Sequence, residues 1–283
     1  MTDDTALPDL PSLPSLPDSP SLPDLPAQPT LGPVTRRVPP TGARREWQTA
    51  EVVEVRPETS QAVTLRLRLP AGAERHVPGQ HYVVRVPRED GSWAQRSYSV
   101  ASAPEPPSAL AADGRRHLEL TVERIEDGEL SPVLHALQVG APVTLRGPFG
   151  GWFVWRGDTP VLLVGGGSGV VPLMSMYRYW RETGGAAPLR LVVSVRTRDD
   201  LYYRDELLAG DPAAVSVVHS RRAPDGDPRP PGRLDAATLR PLLVPDATCF
   251  VCGSTGFAEH ASRLLVDLGV PAGDVRVERC GPS

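Results

Sequence analysis

The hydrophobic period of this sequence changes near Pro160, and that change limits the fold more than any other feature. Before it, apolar and polar residues alternate: Val63, Leu65, Leu67 and Leu69 interleave with Thr64, Arg66 and Arg68, and Leu118, Leu120 and Val122 with Glu119, Thr121 and Glu123. Alternation makes strands with one wet face, and such strands joined by Gly and Pro turns close into antiparallel barrels. After Pro160, short unbroken apolar runs recur at residues 161–164, 189–195, 215–218 and 248–252, separated by helical stretches such as 171–181, 236–243 and 255–268. That rhythm reads as a doubly wound parallel sheet with helices between its strands. The expectation is an antiparallel Greek-key β-barrel over residues 46–156, followed by an α/β domain over 157–283, with the boundary near 156–159.

Residues 1–45 follow a third rule. Pro8, Pro11, Pro14, Pro17, Pro20, Pro23, Pro26 and Pro29 stand at every third position, which is one turn of polyproline II. Leu7, Leu10, Leu13, Leu16, Leu22 and Leu25 would form a second edge, and Asp9, Ser12, Ser15, Asp18, Ser21 and Asp24 a polar third. Such a segment buries no core and is expected to be a disordered, semi-rigid tail, either a plain tether or a docking strip that offers its leucine edge to a partner.

Composition removes several classes of function. The 283 residues carry a net charge of only -4, so neither a nucleic-acid surface nor an anionic-lipid patch is expected. Cys249, Cys252 and Cys280 are too few for a disulfide framework or a four-thiolate iron–sulfur cluster, and no metal site is expected. Asp3 and Asp4 with early prolines argue against a secretory leader, and a reducing cytoplasm fits best. The most apolar stretch, 161–176, is interrupted by Gly165, Gly166, Gly167, Gly169 and Pro172 and falls short of a membrane span.

Three short patterns could carry chemistry. Arg96-Ser97-Tyr98-Ser99 follows a strand-like segment (80–86) and a polar turn (88–92). It offers a cation for phosphate, a flat ring and small hydroxyls, or else it is an ordinary strand with Tyr98 in the core. In Gly128-Glu129-Leu130-Ser131-Pro132, Ser131 is expected at an N-cap and Pro132 at the first helical position, before residues 133–137. The free N–H groups of that helix start would suit a pyrophosphate, with Gly128 allowing close approach, although a plain capped surface helix reads the same way. Gly165, Gly166, Gly167 and Gly169 sit between an apolar run and a helix with Pro172 near its start, the context for holding a dinucleotide phosphate. Val170 stands where a full G-x-G-x-x-G would have its last glycine. The C-x-x-C spacing of Cys249 and Cys252 lies on a strand, where residues three apart face opposite ways, so neither a zinc knuckle nor a redox dithiol is read between them.

Taken in order, Val77-Pro78-Gly79-Gln80-His81, Arg96-Ser97-Tyr98-Ser99 with Val100-Ala101-Ser102, the Gly128 to Ser131 turn, Gly147-Pro148-Phe149-Gly150, the glycine loop through Pro172, and Cys252-Gly253-Ser254 resemble the ferredoxin-reductase superfamily. The resemblance covers nearly everything after Trp47 and implies an FAD-binding barrel ahead of an NAD(P)-binding domain. It implies that Arg96 binds the FAD pyrophosphate within the strand that includes Ser97, that Tyr98 packs on the isoalloxazine, and that Ser99 hydrogen-bonds near N5. Gly128, Leu130 and Ser131 would hold the pyrophosphate from the other side, and a Gly-x-x-Ser here goes with FAD rather than FMN. Trp152 or Phe153 would cover part of the adenine or flavin, or else fill a domain interface.

In the second half, the resemblance gives the four glycines to the NAD(P)H phosphates and Cys252 and Gly253 to the nicotinamide, with Ser99 and Cys252 as the residues nearest the chemistry. Ser194, Arg196 and Arg198, with Tyr202 or Tyr203, resemble a 2′-phosphate site and favour NADPH over NADH, though Asp199 and Asp200 follow at once. Glu278 resembles a position that approaches the flavin or nicotinamide, Cys280 is read as incidental, and His81 as a strand residue. The implied activity is hydride transfer from NAD(P)H to FAD, then electron transfer to a separate acceptor such as a ferredoxin, because the chain lacks a C-x₄-C-x₂-C cluster pattern. A free-flavin or small-molecule reductase and a non-catalytic electron-relay subunit are the rival readings.

Overall fold

The structure is a computed structural model that describes residues 46–106 and 114–280. The proline-period segment, 1–45, lies outside the described residues. Those described belong to one compact unit.

The first half forms six strands: β1 (Gln48–Thr59), β2 (Ala62–Arg68), β3 (His81–Pro87), β4 (Trp93–Ser99), β5 (His117–Glu123) and β6 (Pro142–Phe149), with the one-turn helix α1 (Ser131–His135) between the last two. They make an antiparallel sheet in the order β4-β3-β6-β1-β2-β5. A single bridge, Val100 to Leu120, joins its two ends just beyond β4 and rolls it into a barrel. The alternation seen in the sequence fixes the register. Leu65 lies opposite Leu120 and Leu67 opposite Leu118, and these side chains fill one core with Val52, Tyr82, Val84, Val122 and Leu145.

The second half forms β7 (Val161–Gly166), α2 (Val170–Glu182), β8 (Leu189–Val195), α3 (Arg204–Leu208), β9 (Val215–His219), α4 (Ala236–Leu239), β10 (Thr248–Gly253), α5 (Thr255–Asp267) and β11 (Val275–Arg279). The strands are parallel in the order β11-β10-β7-β8-β9. The central run is apolar throughout because both faces of the sheet are covered. Val161 and Leu163 pack with α2 residues such as Leu173, Met174 and Tyr177, whereas Leu162 and Val164 pack with Ala258, Ala261 and Leu265 of α5.

Three elements differ from expectation. The helix expected over 236–243 is α4 followed by a 3₁₀ turn, Arg240–Leu242, because Pro241 lacks the N–H that would continue the ladder. The short α3 and the edge strand β11 have no counterpart in the sequence reading. β11 is Val-Arg-Val-Glu-Arg, an alternating edge pattern and not an apolar run.

Candidate functional site

β4 carries the first pattern, and its position explains what the pattern can do. It is paired with β3 alone along its length, Val84 opposite Arg96, Tyr82 opposite Tyr98 and His81 opposite Ser99. Its other edge stays open until the Val100–Leu120 bridge. An unpaired edge presents free backbone N–H and C=O groups, so a flat polar ring could hydrogen-bond along it. Alternation puts Arg96 and Tyr98 on one face and Ser97 and Ser99 on the other. Tyr98 is half-buried against the barrel core, and burial pushes its phenol up to about 12. The Arg96 guanidinium is exposed and, among the described residues, donates only to the Gln95 carbonyl, 3.0 Å away, leaving donors for an anion.

The second pattern lies beside the first. Arg88, at the β3–β4 turn, grips Glu129 with two hydrogen bonds of 2.9 and 2.7 Å. Arg96 is close enough to help hold the Glu129 carboxyl below its usual range, behind the Arg88 hydrogen bond. Gly128 closes a turn with its N–H on the Ile125 carbonyl, and a side chain there would sit 3.0 Å from both that oxygen and the Ser131 hydroxyl.

Ser131 departs from expectation. It is the first residue of α1, Leu130 holds the N-cap position without a side-chain cap, and the Ser131 Oγ accepts the Ile125 N–H at 3.0 Å. The exposed turn before the helix supplies that donor, and it wins over the helix's own N–H groups. Leu130 is buried in the barrel core and sets the entry angle of the helix.

The glycine loop stands where the parallel sheet reverses its order, between β7 and β10, the place at which open α/β sheets bind ligands. Gly169 lies against β10 so closely that a β-carbon would come within 2.1 Å of the Cys252 carbonyl oxygen, and one at Gly166 would enter the Phe257 ring. Gly167 has φ +55° and open space around it. The loop therefore packs on two sides and leaves a bare backbone on the third, leading into α2, whose N-terminus has no side-chain cap. Pro172 falls in the first turn, where its missing N–H costs nothing. Val170 in place of a glycine is fully buried and starts the helix.

Cys252 and Gly253 end β10 beside this loop, Cys252 opposite Gly165 on one side and Glu278 on the other. Cys249 and Cys252 do face opposite ways: Cys249 packs in the core under α5 and Cys252 in the core under α2. Cys280, read as incidental in the sequence, has a close neighbour. Its Sγ lies 3.0 Å from that of Cys252, and the contact, with burial and the nearby Glu278, raises the Cys252 thiol. Burial also lifts the Glu278 carboxyl to about 7, and its Oε2 has no hydrogen-bond partner among the described residues.

Ser194, one residue before the end of β8, lies beside Gly166. Arg196 and Arg198 follow it, both exposed. The Arg196 carbonyl accepts the N–H groups of Arg221 and Arg222, so four arginines crowd the end of β8, two of them unnoticed in the sequence. Asp200 is occupied capping a turn with Thr197, and Asp199 pairs loosely with Arg222 across exposed solvent.

Tyr202 and Tyr203 are not part of this basic edge. Both are buried, and Tyr203 bonds to Thr121 of the barrel. There they join a polar junction that sequence reasoning missed altogether. Arg178 of α2 bridges Glu119 of β5 at 2.8 Å, Glu206 of α3 at 2.7 Å and the Ala101 carbonyl at 3.1 Å. Ser175 of the same helix donates to the Ser102 carbonyl. Nearby, Phe153 is core, edge-on to Phe250 of β10 at 5.1 Å, while Trp152 is exposed. Gly79 abuts the Phe153 carbonyl and Met176. Phe250 of β10, Phe153 and Gly79, just before β3, thus pack one against the next between the two sheets.

Residues 49–154 match the family model described as an oxidoreductase FAD-binding domain, and residues 163–263 match an oxidoreductase NAD-binding domain. The chain is 35% identical over 202 residues to a ferredoxin–NADP reductase B of Sorangium cellulosum, covering 67% of this chain and 79% of that protein. It is 33% identical over 251 residues to the ferredoxin reductase component of a 3-ketosteroid-9-alpha-monooxygenase from Mycobacterium tuberculosis, covering 82% of this chain and 64% of that protein. The chain spans only 43 to 64% of the length of such first-ranked curated relatives. In fold it matches the FAD/NAD-binding domain of a nitric oxide dioxygenase from Vibrio cholerae, with a TM-score of 0.72 at 22% identity over 84% of this chain and all of that one.

Proposed function

The chain belongs to the ferredoxin–NADP reductase-like family, and from that membership we propose that it is an FAD-dependent NAD(P)H reductase serving a separate acceptor, such as a ferredoxin or an oxygenase component. One observation carries the reading: the open β4 edge, with Arg96 and the Gly128 turn beside it, and the bare glycine loop at the sheet's reversal lie in a single compact unit. Both places fit their ligands, since the first offers edge hydrogen bonds and an uncommitted cation and the second a cradle that a β-carbon would fill. Bound FAD would supply the redox chemistry, taking hydride from the nicotinamide and passing electrons on.

In this reading residues 46–156 form the FAD-binding unit and 157–283 the NAD(P)-binding unit. Arg96 and the Gly128-Glu129-Leu130-Ser131 turn hold the pyrophosphate, Tyr98 backs the ring, and Ser97 and Ser99 bond along the strand. Gly165, Gly166, Gly167 and Gly169 take the nucleotide phosphates, while Cys252 and Gly253 seat the nicotinamide. Ser194, Arg196 and Arg198, joined by Arg221 and Arg222, favour NADPH through charge-assisted bonds to a 2′-phosphate.

The test is anaerobic titration of flavin-loaded protein with NADPH and NADH. Bleaching of the yellow colour is expected, and R196Q/R198Q should raise the KM for NADPH about tenfold, the equivalent of roughly 1.4 kcal/mol, without moving that for NADH. Colourless protein that takes up no FAD, or yellow protein that neither nucleotide bleaches, would overturn the reading.

Single-turnover oxidation by ferredoxin, free flavin, quinone and dioxygen ranks the acceptors. Removing residues 1–40 should slow a protein acceptor alone if the proline-period segment docks it. A cytoplasmic location is part of the proposal and fits three unpaired cysteines. No helix among the described residues is long and apolar enough to cross a membrane.

A further inference from the structure

Cys252, which seats the nicotinamide in the reading above, lies against a second thiol, Cys280, to which that reading gives no task. Cys252 is fully buried at the end of β10, and Cys280, half-buried, follows β11 with its N–H on the Gly253 carbonyl at 2.8 Å. The parallel ladder between these strands fixes their approach, Cys252 opposite Glu278 and Gly253 opposite Arg279. Their Sγ atoms, 3.0 Å apart, are about 1 Å from the ~2.05 Å of a formed disulfide. Cys249, on the opposite face of β10, cannot compete.

We propose that Cys252 and Cys280 form a peroxide-sensitive dithiol, which hydrogen peroxide converts to a disulfide that disables the nicotinamide seat. The bond itself needs only the two thiols and the peroxide; its effect on turnover rests on the reductase reading. The more accessible Cys280 sulfur attacks one peroxide oxygen, the O–O bond breaks, and a sulfenic acid and one water result. The Cys252 sulfur then attacks Cys280, and the hydroxyl leaves with the Cys252 proton as a second water. Two thiols and one peroxide thus give one disulfide and two waters. The oxidant is local, since a reduced flavin that loses its electrons to dioxygen yields hydrogen peroxide. Once bridged, the Cys252 sulfur is tied to Cys280 beyond the end of β11 and is no longer a free thiol at the nicotinamide seat.

The experiment treats flavin-loaded, dithiothreitol-reduced protein with hydrogen peroxide, then denatures it in alkylating agent. Two of the three thiols should disappear, the intact mass should fall by two hydrogens, and a Cys252–Cys280 cross-linked peptide should appear and vanish on dithiothreitol treatment. C249S should behave the same way, whereas C280S should form no bridge. Three surviving thiols, a bridge through Cys249, or oxygen added to a lone cysteine would overturn the dithiol.

Bleaching by NADPH, read on the same samples, should slow up to about 100-fold after oxidation, the cost of an ångström's misplacement, and recover with dithiothreitol. A bridge that leaves bleaching unchanged would overturn the blockade. Reduced protein that NADPH never bleaches counts against the reductase reading instead, while the thiol count still decides the dithiol.

Discussion

Replacing Arg178 with Met tests whether the junction between the two sheets holds the molecule in its working geometry. The guanidinium is 14% exposed and bonds Glu119 at 2.8 Å, Glu206 at 2.7 and 3.0 Å and the Ala101 carbonyl at 3.1 Å. Burial pushes the Glu119 carboxyl up, but Arg178 and Arg56 more than reverse this and hold it below its usual range. Breaking a buried ion pair from one side costs about 3–5 kcal/mol because it strands a charge. Here the charges are not stranded. Glu119 keeps Arg56 at 3.1 Å and Glu206 keeps Arg181 at 3.1 Å, and Met retains most of the packed stem. The expected loss is therefore nearer 2 kcal/mol, with a coupling of about 1–2 kcal/mol between R178M and E119Q. Urea titrations of the four proteins of this cycle, followed by tryptophan fluorescence, measure both. In the same variant flavin affinity should be unchanged while bleaching by NADPH slows. A stability within about 0.5 kcal/mol of wild type, or additive single effects, would refute the argument that this arginine clamps the sheets.

Glu278 gives a pH signature. Its carboxyl titrates near 7 in the folded chain against a usual 4.5, so the folded state holds that proton more tightly. Its stabilising contribution is complete below ~4.5 and is lost as pH rises to about 7, leaving a penalty of up to about 3 kcal/mol above that which E278Q escapes. The urea midpoint of E278Q should match wild type near pH 4.5 and exceed it near pH 8, and an unchanged difference would refute the burial argument. Gly169→Ala should abolish bleaching by NAD(P)H while the barrel still binds FAD, because the new methyl meets the Cys252 carbonyl; retained nucleotide binding by fluorescence titration would contradict this. Ser131→Ala removes the acceptor of the Ile125 N–H and should cost about 1 kcal/mol in thermal or urea unfolding. No loss would mean that Oγ is dispensable to the turn.

What the sequence made legible follows from how local each signal is. The β2, β5 and β7 strands and the α2 and α5 helices announce themselves by period, because burial of one face or both is written into consecutive residues. The glycine loop was legible too, since a turn with no room for a β-carbon admits nothing else. Ser131 was misplaced because its hydroxyl has two donors within reach, the helix's own first turn and the Ile125 N–H, and only the fold chooses between them. Tyr202 and Tyr203 were misread, and the contact of Cys280 went unseen, because their partners are distant in sequence. Arg221 and Arg222 went unseen because they reach the basic edge through the β8–β9 ladder, not through adjacency to Arg196.

The junction is also where the fold accepts local strain. Tyr203 has φ +53°, a left-handed conformation that costs a bulky residue roughly 1–3 kcal/mol. It is held there by a closed ring of hydrogen bonds. Its N–H donates to Glu58 Oε2 at 2.8 Å, Glu58 Oε1 accepts from Thr64 at 2.7 Å, Thr64 meets Thr121 at 2.7 Å, and Thr121 meets the Tyr203 hydroxyl. Three of the four residues come from β1, β2 and β5 and the fourth from the turn before α3, so the ring closes only when barrel and parallel sheet are docked. Arg178 stands over the same tyrosine ring, 4.9 Å from its centre. A hinge between the sheets would open this ring and unpair buried polar groups at about 1–3 kcal/mol each, on top of separating Arg178 from Glu119. The strained turn at Tyr203 and the docking of the two sheets therefore stand or fall together, and the cost of parting them opposes any hinge between the β4 edge and Cys252.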